Sequence, residues 1–371
     1  MNIKNQEYLQ NSILNYVKLL EKDDSKFKYT ISKQDNLTKA GSLLELGFSC
    51  FALKIKVILN DEEIKNNKAS QWADYINSFQ KNLNPYPSAS FIDDNFLKEH
   101  NRFKLSRSSK NLVKKGLNLS LGRNYILNKQ KLYSFISAES KQAISTLNEI
   151  GYKNRYPYID FPTTKESISK YLDSFDWGNP WSAGAQFSSL CLYTETQLDK
   201  NTEVKKILKD YITTKLDLDT GFYHTKKNIS RNVLINGAMK VLTGLDWINE
   251  EIHDPNKIID FILKSKITNE ACDLVDVVYV LFKCSEQTNY RKSDIVNFIN
   301  DVEDVIFKNF INKEGGFSYS YQKSQKYYYG LVVTKQKKCA DLHGTLLLLW
   351  AYTLILELKD ENNLGWKIIK P

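Results

Sequence analysis

Asp341 and His343 stand at the head of the most apolar segment of the chain, 341–358. A carboxylate two residues from an imidazole at a helix start is a natural acid–base pair. The positive end of the helix dipole disfavours imidazolium, so His343 is expected to stay neutral and to act as a base or a metal ligand. Gly344 and Thr345 behind it are small or short and leave the approach open. Asp341 has an equally direct structural use as an N-cap that accepts backbone N–H bonds. The other histidines are placed less well: His100 and His253 fall in polar stretches, and His224 lies in the turn before its helix.

Other side chains join this pair as candidates. Asn236 and Lys240, four residues apart, share one face of an otherwise apolar helix. A lysine there needs a partner or an aqueous cavity. Asp273 and Asp276 on a neighbouring apolar segment are candidate partners, either as a buried bridge or as catalytic carboxylates lining a polar interior. The stretch Trp177-Gly-Asn-Pro-Trp181-Ser-Ala-Gly-Ala-Gln186 places two aromatic platforms around a turn. Trp177, Asn179, Trp181, Gln186 and Tyr223 are therefore expected to bind substrate together with Asn236 and Lys240. Indole faces stack on sugar rings or stabilise carbocations. The same stretch also serves as an anchor that starts a helix, with Asn179 or Ser182 as cap and Pro180 in its first turn.

Positioning such groups requires helices, and the hydrophobic pattern supplies them. Apolar segments at about 39–58, 139–150, 182–195, 232–245, 271–284 and 341–358 alternate with amphipathic ones. The latter fall at about 5–21, 68–80, 164–175, 202–216, 255–266 and 293–311. Helices apolar nearly all round must be covered, and amphipathic helices do the covering. Six of each predict an all-α fold, an (α/α)6 toroid of concentric inner and outer helices spanning 1–371 as one domain. An irregular stretch at about 83–135 breaks the alternation and reads as an insertion over one mouth of the ring.

Two turns, Asp219-Thr-Gly-Phe222 and Glu314-Gly-Gly-Phe317, each hand the chain to an apolar segment. They resemble the acidic-Gly-Gly-Phe turns of the protein prenyltransferase β-subunit and terpenoid cyclase superfamily. Trp72–Gln80 followed by Phe91-Ile-Asp93 is similar to a degenerate third copy. The resemblance covers about 200–358 and implies an enzyme with its site where the inner helices begin. In the prenyltransferases an Asp-x-Cys pair and a histidine hold zinc. The resemblance therefore offers Glu270, Cys272 and His343 as ligands, with Glu in place of Asp; carboxylate, thiolate and imidazole with a fourth open position suit catalytic zinc. The Asp-x-Asp-Asp acid of the cyclases has no counterpart in Asp301-Val-Glu-Asp304 or Ile92-Asp-Asp94, which disfavours proton-initiated cyclisation. A carbohydrate-active toroid (lyase, hydrolase or epimerase) and a non-catalytic ligand-binding toroid stay open as alternatives. A small molecule or a glycan is the expected substrate.

Composition narrows the remaining classes. The net charge is +9, yet only six of the 52 basic residues are Arg. Arg is the side chain suited to bidentate phosphate and base contacts, so nucleic acid is not the expected partner. The five cysteines form no CxxC pair, and a reducing cytoplasm is the expected compartment. The N-terminal residues do not read as a signal peptide, and the longest apolar stretch, Thr345–Leu356, is short of the roughly 20 residues of a membrane span. P-loop, Rossmann, HExxH and nucleophile-elbow patterns are absent from the sequence.

Overall fold

The computed structural model describes residues 5–22, 25–64, 68–102, 128–159, 161–199 and 201–371. The basic run Lys104–Lys115 and the middle of the 83–135 stretch lie outside these residues. The described chain is mostly helical, with fourteen α-helices and four two-stranded hairpins. Six helices have the amphipathic pattern: α1 (Gln6–Leu19), α4 (Ala69–Asn77), α7 (Lys165–Asp173), α9 (Thr202–Thr213), α11 (Pro255–Ile262) and α13 (Lys292–Lys308). Six more are the segments read as apolar: α3 (Leu46–Ile58), α6 (Asn128–Glu149), α8 (Pro180–Gln197), α10 (Arg231–Ile248), α12 (Ala271–Ser285) and α14 (Leu342–Leu358). Two short helices, α2 (Lys39–Leu43) and α5 (Asp94–Arg102), complete the set.

The apolar helices pack on one another in chain order. α3 packs on α6, α6 on α8, α8 on α10, α10 on α12 and α12 on α14, and α14 packs on α3. They run in the same direction. Asn232 and Asn236 near the start of α10 meet Asp273 near the start of α12, and Lys283 near the end of α12 meets Asp246 near the end of α10. Phe51 of α3 lies level with His343 of α14, and Gly47 lies level with Glu139 of α6. Amphipathic helices cover this set from outside, with α4 on α3 and α6, α9 on α8, α11 on α12, and α13 on both α12 and α14.

Glycine makes the tightest of these contacts. A Cβ on Gly184 of α8 would come within 2.9 Å of the Gly237 carbonyl and 3.1 Å of Lys240 Cβ, and one on Gly244 within 2.9 Å of the Phe187 ring. The small residues after Trp181 thus let α8 lie close against α10, and the approach they permit is helix to helix.

The hairpin β5 (Phe310–Ile311)/β6 (Gly316–Phe317) carries the Glu314-Gly-Gly-Phe317 turn. Gly315 has φ +79°, and any Cβ there would meet the Ser12 carbonyl at 2.6 Å, so glycine is required. Glu314 Oε2 accepts the Ala340 N–H at 2.8 Å, and Thr345 Oγ1 accepts the Phe317 N–H at 3.0 Å. The turn is therefore bolted to the start of α14. The Asp219 copy is built differently: Asp217, not Asp219, accepts the Thr220 N–H at 2.9 Å.

Two boundaries differ from expectation. α6 begins at Asn128, eleven residues before the expected start; Lys, Gln and Ser interrupt 128–138, yet Ile136 is fully buried and Leu132 and Phe135 pack against the core. Since Glu139 is level with the start of α3, this extension projects about 16 Å beyond it at 1.5 Å per residue. The expected irregular stretch also contains α5 and the hairpin β3 (Gln80–Lys81)/β4 (Ser90–Phe91). His100 lies in α5, buried, with Nε2 3.0 Å from the Tyr329 carbonyl, and not in a polar loop. Phe96, His100, Phe135 and Tyr329 pack together there.

Candidate functional site

Three elements bring the side chains around His343 together. α14 supplies Asp341 and His343, α12 supplies Cys272, and the connection between β6 and α14 supplies Tyr319 and Gln325. Asp341 organises them. Its backbone is extended, and Oδ1 accepts the Gly344 N–H at 2.8 Å as the N-cap. Oδ2 accepts the Tyr319 N–H at 2.8 Å and the Gln325 N–H at 3.1 Å. Burial pushes this carboxyl up to about 7, while the backbone N–H donors pull it down. Fully buried and occupied by three donors, Asp341 is a latch, and this corrects its expected pairing with His343 as a reactive group.

His343 is half-buried and its ring is held on both faces. Phe51 stacks on it with centroids 4.4 Å apart and planes at 2°, and Tyr319 lies on the other side at 5.4 Å and 30°. Nδ1 is 3.0 Å from Gln325 Oε1. The amide of Gln325 is oriented by its own Nε2, which donates to the Tyr327 carbonyl at 2.8 Å. With its oxygen toward the imidazole, the amide requires the proton on Nδ1, so Nε2 carries the lone pair. Among the described residues nothing hydrogen-bonds to Nε2. Burial, and secondarily the charge of Lys240, pushes His343 down to about 3, so the ring is neutral at physiological pH.

Tyr319 Oη lies 2.9 Å from Cys272 Sγ. Burial raises the phenol well above its ordinary range and pushes the thiol up to about 11, with Asp276 adding to the latter. Both therefore stay protonated at physiological pH. Asp273 accepts from Asn236 Nδ2 and Asn232 Nδ2, each at 3.3 Å. Asp276 is buried and pushed up to about 7 by desolvation, with Lys240 opposing and Asp273 reinforcing. Lys240 is half-buried and forms no ion pair within 4 Å among the described residues, so the expected Lys240–Asp bridge is not made. Its charge is felt by His343, Cys272, Asp276 and Lys141.

The structure separates the remaining candidates. Glu270 is exposed and accepts from Ser320 Oγ at 2.7 Å. Cys272 is bound to Tyr319 and is pushed up as a thiol. Among the described residues no three of His, Cys, Asp and Glu converge as metal ligands. The Glu270–Cys272–His343 set thus does not fit zinc. Trp177 is buried, its Nε1–H donating to Tyr211 Oη at 2.8 Å, and the Tyr223 hydroxyl sits 3.0 Å from His253 Nδ1 within packing. Neither offers a face to a ligand, because each fills the space between an apolar helix and its cover. Asn179 is exposed and caps α8 through Ser182 N–H at 3.4 Å. Trp181 (56% exposed) and Gln186 keep exposed side chains. A crevice between α10 and α12 is lined by Asn232, Asn236 and Asp273. A larger cavity of about 430 Å³, lined by Glu303, Tyr352 and Lys359 among others, lies away from all of these residues.

Sequence reasoning had no handle on Gln325 or Phe51, which fix the imidazole. Nor did it single out Lys141 of α6, whose lone signal is a charge flanked by Ser137, Ala138 and Ala143. Comparison with protein-family models, curated proteins and solved structures gives no match to this chain.

Proposed function

We propose that the chain is an (α/α)6 toroid enzyme that performs acid–base chemistry at the end where its inner helices begin. The closed sequence of packing from α3 through α14 and the common direction of those helices support the architecture. The observation that carries the chemistry is the fixed tautomer of His343, with Nδ1–H committed to Gln325 and Nε2 open. In this reading Nε2 takes a proton from substrate. The Tyr319–Cys272 pair returns a proton to the leaving or rearranging group. Lys240, which has no ion pair among the described residues, holds an anionic group of the substrate, and Asp273 with Asn236 binds its hydroxyls.

Proton abstraction beside an anionic group is the chemistry of lyases and epimerases acting on acidic sugars. That class accords with a polar set of His, Tyr, Lys and Asp better than zinc-assisted isoprenoid transfer does, because the zinc ligands are not assembled. The test is a screen of uronate-containing oligosaccharides against isoprenoid diphosphates, with wild type and His343→Ala compared on any hit. The reading expects turnover of the acidic glycan, lost by more than a hundredfold in His343→Ala at unchanged fold, consistent with the usual ~10²–10⁴ contribution of a general base. Turnover of the diphosphates alone, or full activity in the variant, would overturn it.

A further inference from the structure

The connection 318–340 holds five lysines and five tyrosines and neither Asp nor Glu. Its inward side builds the site, since Tyr319 and Gln325 meet His343. Its outward side carries groups that the packing does not use. The hairpin β7 (Tyr327–Tyr328)/β8 (Leu331–Val332) buries Tyr328 and Leu331, with Tyr328 against Phe48 and hydrogen-bonded to Glu139. Alternation along each strand sends the next residue to water. The facing pair Tyr327 and Val332 is accordingly 56% and 41% exposed. Tyr321, two residues beyond Tyr319, is 52% exposed. Lys326 Nζ stands 5.3 Å from the centroid of the Tyr327 ring, so a cation and an aromatic face are offered side by side. Lys337 is paired with Asp35 at 2.8 Å, whereas Lys323, Lys326 and Lys338 have no carboxylate within 4 Å among the described residues.

This surface is fixed in place by the segment before α2. Thr38 Oγ1 donates to the Val332 carbonyl at 2.6 Å, Asn36 Nδ2 to Ser324 Oγ at 2.9 Å, and the Lys335 N–H to the Asn36 carbonyl at 2.8 Å. A surface already in shape loses little entropy on binding. Exposed apolar side chains gathered on one rigid segment mark a contact surface, and the unpaired lysines among them select an anionic occupant. We propose that the outward side of 318–340 binds a run of acidic sugars, so that the substrate is a chain rather than a single sugar. The phenol faces of Tyr321 and Tyr327 take the apolar faces of sugar rings, and Lys323, Lys326 and Lys338 take carboxylates along the chain. A nucleic-acid strand also stacks on aromatic rings, but this connection has no Arg to grip its phosphates in bidentate fashion. The inference rests on the acidic-glycan reading of the site and extends it outward from His343.

Isothermal titration calorimetry of the intact protein at about 0.15 M salt tests this. The probes are polygalacturonate, alginate and hyaluronate, with single-stranded poly(U) as a polyanion of another class. Lys326→Gln/Tyr327→Ala is compared with Lys165→Gln/Tyr152→Ala, which removes the same charge and one exposed tyrosine outside the connection. None of the four side chains is buried, so both double variants should fold. At least one polyuronate should bind wild type. Its Kd should rise about tenfold in Lys326→Gln/Tyr327→Ala and stay within about twofold of wild type in the control pair. Equal weakening in the two pairs would reveal only the attraction of a basic protein for a polyanion and would overturn the proposal. Tighter binding of poly(U) than of every polyuronate would do the same, as would no binding of any polyuronate. The two readings of the site part company in one assay. Wild type that binds a polyuronate through Lys326 and Tyr327 but turns nothing over refutes the acid–base role of His343 and leaves this surface standing. Turnover that is indifferent to Lys326→Gln/Tyr327→Ala and to chain length refutes the surface alone.

Discussion

Replacing Asp341 separates a latch from a catalyst. Its two oxygens accept three backbone N–H groups, and those of Gly344 and Gln325 are buried. In Asp341→Ala these two donors lose their acceptor, at about 1–3 kcal/mol each, and the partly exposed Tyr319 donor turns to water. Loss of the α14 cap is contained in the Gly344 term, itself typically ~1 kcal/mol. The sum is roughly 2–6 kcal/mol of unfolding free energy. Asp341→Asn should be nearly as costly, because an amide places an N–H₂ against one set of donors where the carboxylate had a lone pair. His343→Ala, by contrast, removes one hydrogen bond to Gln325 and a stack on Phe51, about 1–2 kcal/mol. Urea unfolding of the three variants measures the ranking directly. An Asp341→Asn protein within about 1 kcal/mol of wild type would refute the latch and return the carboxylate to the reacting group.

Glu139 gives a pH-dependent prediction. It is buried on α6 in a hydrogen bond from Tyr328 Oη, and burial pushes its carboxyl up to about 8. The folded pKa is raised, so the stability tied to the protonated acid is fully present below the unfolded value of about 4.3 and is lost as pH climbs through 8. Between pH 5 and 8.5 wild type should lose on the order of 3–4 kcal/mol relative to Glu139→Gln, read as the difference between their urea unfolding profiles. Equal slopes would show that the acid is ionised in the folded protein. The two tryptophans give a contrast: Trp177→Ala should cost about 3–5 kcal/mol as a core truncation and Trp181→Ala under about 0.5, so a change in ligand affinity without a change in stability is open to Trp181 alone.

The helices were legible because burial imposes a period, and each amphipathic segment read from the sequence lies within a residue or a few of the observed one. The start of α6 was not, since its first apolar residues, Leu132, Phe135 and Ile136, are interspersed with Lys, Gln and Ser. His343 was legible as a candidate because it opens an apolar helix after a recognisable turn, and Cys272 through the resemblance to an Asp-x-Cys pair. What holds them was not. Gln325 arrives through the connection 318–340, which has no periodicity, and Phe51 arrives from almost 300 residues away; Tyr319, by contrast, follows the Glu314 turn directly and was open to sequence reading. Glu270 entered only through the resemblance to an Asp-x-Cys pair, and its side chain accepts from Ser320.

Asp341 and Lys240 show why charge alone does not locate chemistry. Both are ionisable groups on apolar helices, and sequence assigns either one a partner or a reaction with equal ease. The difference lies in the number of counter-groups that distant segments deliver. Asp341 receives three N–H donors, two of them from the connection 318–340, and has no acceptor capacity directed at a ligand. Among the described residues Lys240 receives no carboxylate within 4 Å, although Asp273 and Asp276 are on the adjoining helix; Asp273 is taken by Asn232 and Asn236. A charge that the fold leaves unpaired costs stability unless a ligand completes it. Lys240 is therefore a group whose presence is better explained by a ligand than by the packing around it.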